Sequence, residues 1–427
     1  MTNTTKQRSG PLDLPPVFWW IWVSVLVNWA GAFTRPVLAL SLTAGHGYSV
    51  SYAGFVIALI GLGGLLGTVV GGVLADRLGR RPTLVLAHLV TAVAMLALGT
   101  ADGRWQIQVA ALAVGAGSTA ARPAMNAALA DVVPPADRPR AFSLNYWAVN
   151  VGVAASAALA GLMVTQGYTL VFVADAAATA LCALVVLLKV PETRPVLASR
   201  APREARSPLR IDRRFLFFLL ATLAAASVYE QSATTLPIAM VGAGLGAWTY
   251  GVVQALNGLL IALLQIPLTR WARRHSRRAI LVGSALLIGW GFGLNAVADG
   301  LLGYAVVALV WTVGEILQMP TGSAVAADRA PGRSRGRYAA LYTGAWSAAA
   351  LLGPIGGGWL LESGGPASVW LACAVLGALA AAGFAYATGS GTKLPREVGA
   401  STARDGENSP APATENGGGQ PLERIAP

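Results

Sequence analysis

The sequence predicts an all-α membrane protein in which twelve transmembrane helices form two six-helix bundles related by a parallel pseudo-two-fold repeat. Three observations predict this fold: the composition, a series of long apolar stretches, and a repeat between the two halves of the chain. Of the 427 residues, 55% are hydrophobic and 12% are charged, whereas about 25% of the residues in soluble domains are charged. The composition excludes a water-soluble globular protein, and the apolar stretches exclude disorder for most of the chain.

Twelve stretches are long and apolar enough to cross the hydrocarbon core of a bilayer as helices. They cover residues 17–42, 51–75, 83–100, 104–131, 140–166, 168–190, 214–241, 248–271, 279–298, 301–328, 337–361 and 366–388, and are numbered spans 1 to 12. Span 1 carries Trp19, Trp20 and Trp22 and is too long for a cleaved signal peptide. We therefore expect it to stay in the mature protein.

The basic residues predict the orientation of the chain. All but three of the 31 Lys and Arg residues lie at the termini or in and beside the loops that follow even-numbered spans. Since cytoplasmic loops are enriched in Lys and Arg, we expect a multi-pass protein of the cytoplasmic membrane with both termini in the cytoplasm. Because the positive charge is spread between apolar spans, nucleic acid is not an expected partner.

These features divide the chain into five predicted parts. They are a cytoplasmic N-terminus (1–16), an N-terminal six-helix bundle (17–190), a basic cytoplasmic loop (191–213), a C-terminal six-helix bundle (214–388) and a disordered cytoplasmic tail (389–427). Cys182 and Cys373 lie inside spans 6 and 12 and are interpreted as small apolar fillers. The three histidines are scattered, so neither a metal site nor a cofactor is expected.

A repeat with an offset of 197 residues relates the two halves. Matching pairs include Gly54 and Gly251, Arg80 and Arg277, Gly117 and Gly314, Pro123 and Pro320, Asp131 and Asp328, and Gly161 and Gly358. Because six spans separate equivalent positions, both copies cross the membrane in the same direction. Parallel repeats of this kind occur in secondary transporters whose substrate site lies near the bilayer midplane, between the halves.

The loop between spans 2 and 3 carries the most specific motif, which reads GVLADRLGRRPTL from Gly72 to Leu84. It resembles the signature loop of the major facilitator superfamily, and the overall look is closest to the twelve-span drug/proton antiporters of that family. The resemblance covers roughly residues 17–388 and implies a transporter that works by alternating access. It also implies that Asp76 and its loop latch the halves together on the cytoplasmic side when the transporter faces outward.

The chemistry of this loop fits a latch that can be made and broken. The motif residues are Gly72, Asp76, Arg77, Gly79, Arg80 and Arg81. Asp76 lies near helix N-termini, where an anion is favoured, and the arginines can pair with it or with lipid phosphates. Gly79 permits a tight turn. An alternative is that the arginines only anchor the loop at the membrane surface.

Ionisable groups inside the membrane are costly and are therefore candidates for function. Arg35 and Arg122 lie in spans 1 and 4, and Glu230 and Glu315 lie in spans 7 and 10. We expect Glu230 or Glu315 to bind the coupling proton, and Arg122 to tune it or to orient substrate. The alternative is a permanent ion pair that holds the bundles in register. Asp175, in span 6, is a third proton-coupling candidate.

Further polar and aromatic residues inside spans of the second half are candidates to line the substrate cavity, although packing is an equally good interpretation for each. They are Tyr229, Gln231, Asn257, Trp311 and Gln318. Together with Arg35 and Arg122 they complete the predicted set of cavity residues.

The predicted function is proton-coupled efflux of small hydrophobic or drug-like compounds by a monomer in the lipid bilayer. Drug/proton antiporters of the family usually carry a Gly-Pro-x-x-Gly-Gly element in span 5, where this chain has SAALAG from Ser156 to Gly161. Span 11 has GPIGGG from Gly353 to Gly358 instead. The alternative is proton-coupled transport of a small organic anion or nutrient, with Arg35 and Arg122 as the anion clamp. No nucleophile or metal motif indicates an enzyme.

Overall fold

A computed structural model describes residues 14–135, 137–193, 212–329 and 335–389, and the described chain is almost entirely helical. Spans 1 to 6 correspond to Pro16–Ala30 followed by Thr34–Leu40, then Val50–Arg77, Arg80–Thr100, Arg104–Val132, Arg138–Met163 and Tyr168–Lys189. Spans 7 to 12 correspond to Arg213–Tyr229 followed by Thr235–Gly242, then Ala247–Ala272, Arg277–Gly293, Gly300–Asp328, and Arg335–Ala387, which contains both spans 11 and 12. Most of the predicted central loop and tail lies outside the described residues.

Nine of the described helices are long and apolar enough to cross a membrane, and the longest of them turns at Gly365, where φ is +71°. The two remaining predicted spans differ from this pattern. Span 1 is divided into two shorter helices, and span 4 carries Arg122 in a less apolar helix.

Short polar residues begin several of these helices. The side chain of Ser49 accepts a hydrogen bond from the backbone of Tyr52 at the start of span 2. Asp212 does the same for Phe215 at the start of span 7, over 2.7 Å. Such caps satisfy backbone N–H groups that have no partner within the helix.

The repeat found in the sequence is present in the packing. A Cβ added to Gly117 would lie 3.0 Å from the backbone nitrogen of Thr91, and one added to Gly314 would lie 3.0 Å from that of Ile288. Thr91 and Ile288 are themselves separated by 197 residues. Glycine lets helix backbones approach closely in a membrane, so the same small residue sets the same crossing of spans 3 and 4 and of spans 9 and 10.

Two pseudo-symmetric helix crossings join the halves. In the crossing of spans 2 and 11, a Cβ on Gly54 would collide with the carbonyl oxygen of Pro354. In the crossing of spans 8 and 5, a Cβ on Gly251 would lie 2.8 Å from the carbonyl oxygen of Ala157. The offset of 197 relates Gly54 to Gly251 and Ala157 to Pro354. Both halves therefore meet through equivalent small residues.

The crossings lie toward one end of the molecule. A Cβ on Gly72 or on Gly344, near the other ends of spans 2 and 11, would have no described neighbouring atom within 4 Å. At that end of span 5, the side chains of Tyr146 and Trp147 are 45% and 50% exposed. We call the end that contains Gly54 the closed end and the end that contains Gly72 the open end.

Candidate functional site

The Glu315 cluster consists of Glu315, Asn257, Thr312 and Tyr229 in the second half of the chain. Glu315 lies midway along span 10 and is only 8% exposed. The Nδ2 atom of Asn257 donates to the Glu315 Oε2 atom over 3.0 Å and approaches the Thr312 Oγ1 atom at 2.9 Å. The Tyr229 hydroxyl also hydrogen bonds the carboxylate. Spans 7, 8 and 10 thus surround the carboxyl group with neutral polar side chains.

The first half contributes one group to this cluster. The phenol of Tyr146, on span 5, lies close enough to Glu315 to interact with it electrostatically. Because Tyr146 is exposed toward the open end, the carboxyl group lies where the second half faces the first.

The facing surface of the first half is aromatic and basic. The Arg122 guanidinium lies over the ring of Trp29 at 5.8 Å from the ring centre, a geometry typical of a cation–π contact. The rings of Trp22 and Trp147 stack with their centres 6.1 Å apart. Arg122 is exposed although it lies well inside span 4. The Arg35 side chain lies outside the described part of the structure, and pairing of the cations with Glu230 or Glu315 stays a prediction.

Glu230 lies in a 3₁₀ turn, Glu230–Ser232, that interrupts span 7. The Glu230 carbonyl accepts a hydrogen bond from the Thr234 hydroxyl over 2.6 Å. A Cβ added to Gly353 would approach the Glu230 Cβ at 3.1 Å, which places Glu230 against span 11. Glu230 is only half-buried, in contrast to Glu315.

Asp175 closes the break in span 1. It is 1% exposed, and its Oδ2 atom accepts a hydrogen bond from the Thr34 backbone nitrogen over 2.9 Å. The Phe33 backbone and the Thr179 hydroxyl also hydrogen bond this carboxylate. Asp175 therefore caps the helix that follows the break, and its position favours a structural role over the proton-coupling role predicted from the sequence.

Four of the predicted cavity residues are buried in the conformation seen here: Asn257, which belongs to the Glu315 cluster, and Gln231, Trp311 and Gln318. Gln231 donates to the carbonyl oxygens of Ser227 and Gly353, over 2.9 Å in each case, and is thereby held between spans 7 and 11. Trp311 packs against Phe292. The Gln318 amide is 1% exposed and has no hydrogen-bond partner among the described residues. Packing is the better interpretation for Gln231 and Trp311.

The latch motif binds its own half in this conformation. The Arg80 Nε atom lies 3.1 Å from the Asp131 Oδ2 atom, while Asp76 is 82% exposed and lies 3.9 Å from the Arg80 Nη1 atom. Glu192, just after span 6, accepts hydrogen bonds from the backbone nitrogens of Arg80 and Arg81 over 2.9 and 3.1 Å. These bonds leave Asp76 accessible at the open end.

The repeat reproduces one of these contacts. Arg277 pairs with Asp328 in the second half, at the positions that match Arg80 and Asp131 at the offset of 197. Sequence reasoning identified both aspartates as repeat matches but missed their pairing. It also missed Glu192, since its only signal is a single acidic residue directly after span 6.

Comparisons with known proteins agree with the fold. The Major Facilitator Superfamily model matches residues 21–322 and 250–416. The uncharacterised MFS-type transporter YhjO of Bacillus subtilis (strain 168) is 27% identical over 354 residues, which cover 82% of this chain and 88% of YhjO. The multidrug resistance protein MdtH of Escherichia coli O1:K1 / APEC is 26% identical over 319 residues, which cover 72% of this chain and 78% of MdtH.

Solved structures show the same fold at low identity. A crystal structure of the nucleoside transporter NupG superposes with a TM-score of 0.75 at 14% identity, covering 87% of this chain and 99% of that one. The family match confirms the fold class predicted from the sequence. The chain is a multi-pass membrane transporter, not an enzyme, and it belongs to the major facilitator superfamily.

Proposed function

We propose that the chain exports small hydrophobic compounds in exchange for protons, with Glu315 as the proton-binding group. The observation that carries this proposal is the Glu315 cluster, a buried carboxyl group whose hydrogen-bond partners are neutral and which lies at the junction of the halves. A carboxyl group in such surroundings is sensitive to its access to water. A movement of the two halves that changes the access of water to Glu315 can therefore change whether the carboxyl group is protonated.

The helix crossings support alternating access. The closed end is sealed by backbone-to-backbone approach at Gly54 and Gly251, which rigid bundles can open by rocking about the central site. Under the predicted orientation the open end faces the cytoplasm, so the conformation seen here is the one that loads substrate for export. The multidrug resistance relative MdtH supports efflux as the direction.

Glu315 is preferred over the other two carboxylates for reasons of geometry. Asp175 is occupied by the N-cap of span 1, so releasing it would disrupt the fold. Glu230 is half-buried in the turn that breaks span 7. Of the three, Glu315 alone is both buried and close to a residue of the opposite half, Tyr146.

The test compares Glu315→Gln with Glu230→Gln in proteoliposomes. Gln keeps the shape of the side chain and one acceptor oxygen but cannot carry a proton. We expect Glu315→Gln to abolish accumulation driven by a pH gradient while retaining exchange of labelled for unlabelled substrate, and Glu230→Gln to retain both. Full proton-driven accumulation by Glu315→Gln overturns the proposal.

A second candidate, transport of an organic anion, is favoured by Arg122. Its guanidinium is exposed well inside the membrane and is supported by Trp29, as a carboxylate-binding group would be. Uptake of an anionic metabolite and of a cationic dye, compared in everted vesicles with and without a pH gradient, separates the two candidates. Transport of the anion alone, lost in Arg122→Ala, favours the second.

A further inference from the structure

Both copies of the repeat break their first span at nearly the same place. Span 1 is interrupted at residues 31–33 and span 7 at Glu230–Ser232. The offset of 197 relates Phe33 to Glu230 and Thr34 to Gln231. A broken helix exposes backbone groups that must be satisfied inside the membrane, so each half needs a device to support its break.

The first half supports its break with a charge from another span. Asp175, on span 6, accepts hydrogen bonds from the residues that restart the helix. Gly31, at the break, packs so closely on Ala178 of span 6 that a Cβ there would collide with it. Span 1 is therefore clamped to span 6 on both sides of its break.

The second half has a cysteine at the matching position. Gly167 and Gly365 both turn the chain with positive φ (+125° and +71°) just before spans 6 and 12. Counting from these glycines, Asp175 and Cys373 each stand eight residues later (167 to 175, and 365 to 373), and both are fully buried. A neutral thiol thus replaces the capping carboxylate.

A cavity of about 180 Å³ lies beside this thiol. It is bounded by spans 7, 11 and 12 and lined by residues that include Ser227, Gln231, Gly353, Gly357, Ala372 and Cys373. The Gln231 side chain donates hydrogen bonds to the Ser227 carbonyl, next to the break in its own span, and to the Gly353 carbonyl of span 11. On the side of span 12 the broken segment therefore borders this cavity, where the first half has the buried carboxylate of Asp175.

We propose that the cavity beside Cys373 is a control site: the break in span 7 moves into it during transport, while the break in span 1 stays fixed. A small apolar group that fills the cavity, of the size of a thiol-bound methyl, arrests the exchange of conformations. The proposal rests on alternating access in the proposed function but not on protons, on Glu315 or on the identity of the substrate.

The two native cysteines provide a matched test. Cys182, in the first half, is 0% exposed and its Sγ atom donates to the Ser24 carbonyl over 3.3 Å. The probe is methyl methanethiosulfonate: the thiolate attacks the sulfenyl sulfur, a methyl disulfide forms and methanesulfinate leaves. The variants Cys182→Ser and Cys373→Ser each keep one of the thiols.

In proteoliposomes, we expect the reagent to reduce substrate exchange at least tenfold in Cys182→Ser, with a single methyl disulfide on Cys373 by intact mass, and to leave Cys373→Ser fully active. Unchanged exchange by protein that carries the adduct overturns the proposal, as does equal inhibition of Cys373→Ser. Substrate exchange needs no pH gradient, so these outcomes are independent of whether Glu315 couples transport to protons.

A further variant, Ala372→Leu, tests the proposal without the cysteine variants. Ala372→Leu adds apolar volume at the cavity wall without touching a hydrogen bond. We expect it to slow exchange while its melting temperature in detergent stays within a few degrees of the parent protein. Normal exchange by folded Ala372→Leu with a filled cavity, checked by loss of Cys373 labelling, also overturns the proposal.

Discussion

The first and second halves share their framework but differ at their centres. Each has a glycine that brings its third and fourth spans together, and each pairs an arginine with an aspartate, as Arg80 with Asp131 and Arg277 with Asp328. At the centre, the first half presents Arg122 among tryptophans, whereas the second half buries Glu315 among neutral partners. The repeat has kept what packs the bundle and has diverged where the two bundles face each other.

The two crossings that close one end are also unequal, although they are related by the repeat. A Cβ on Gly54 would collide with the Pro354 carbonyl, whereas a Cβ on Gly251 would lie 2.8 Å from the nearest atom, the Ala157 carbonyl. Backbone atoms cannot move aside as the end of a flexible side chain can. The crossing of spans 2 and 11 is therefore the tighter seal.

The largest predicted effect follows from breaking this seal with Gly54→Ala. Overpacking costs about 1–3 kcal/mol, which shifts the balance of conformations by about 5- to 150-fold toward the state with the closed end opened. We expect the closed end to become accessible to a membrane-impermeant thiol reagent at an introduced cysteine, and transport to fall accordingly.

Two further variants calibrate this prediction. Gly251→Ala tests the looser crossing and is expected to have a smaller effect. Gly283→Ala, within span 9, meets no described atom within 4 Å, so it should leave transport unchanged and gain a little helix stability. Equal effects of Gly54→Ala and Gly283→Ala contradict the assignment of span 2 to the seal.

The second prediction concerns the helix cap that Asp175 provides in the first half, and it compares Asp175→Ala with a variant of Cys373 in the second half. The substitution leaves the buried Thr34 backbone nitrogen without its partner, at a cost of about 1–3 kcal/mol. We expect a lower midpoint of thermal unfolding in detergent, partly restored by Asp175→Asn, which keeps an acceptor oxygen. Cys373→Ala, at the equivalent position, should destabilise less because Cys373 makes no hydrogen bond to another described residue.

Transport assays on the same variants complete this comparison. Whatever Asp175→Ala protein remains folded should still accumulate substrate in response to a pH gradient, because the proposed function assigns the proton to Glu315 and Asp175 supports the fold. A variant with an unchanged unfolding midpoint and no proton coupling would instead move the proton site from the second half to the first.

Sequence patterns predicted the spans because each needs about 20 apolar residues, a property of the chain alone. They made Glu230 and Glu315 candidates for the proton site because a charge inside a span is unusual, but they could not choose between the two. The breaks in spans 1 and 7 were missed, since the apolar pattern continues through Gly31 and the break depends on packing against another span. The cap by Asp175 and the cavity beside Cys373 were missed for the same reason: both depend on contacts between distant parts of the chain.

The smallest predicted effect concerns an asymmetry at the closed end. The Glu362 carboxylate, at the exposed end of span 11, accepts a hydrogen bond from the Ser51 backbone nitrogen in the first turn of span 2 over 2.7 Å. Hydrogen bonds from the Ser51 hydroxyl and backbone lower the pKa of Glu362 below its ordinary value of 4.5. The matching position in the first half is Thr165, so only one crossing carries this contact.

The sign of the pH effect follows from this lowered pKa. Because Ser51 and Glu362 belong to different halves, the hydrogen bond is lost when the closed end opens and the pKa returns to its ordinary value. Its contribution to closure is therefore complete above that ordinary pKa and disappears as the pH falls through the lowered one. Glu362→Gln at neutral pH should resemble the parent protein in acid, with a slightly larger population of molecules open at this end.

Distances between spin labels at the closed end measure this difference. Asp102 and Asp299 are exposed, belong to opposite halves and are related by the offset of 197, so Asp102→Cys and Asp299→Cys in a background without Cys182 and Cys373 report the separation of the halves. The longer distance should become more populated in acid in the parent protein and should not respond to pH in Glu362→Gln. If both proteins respond equally, a titratable group other than Glu362 controls the closed end.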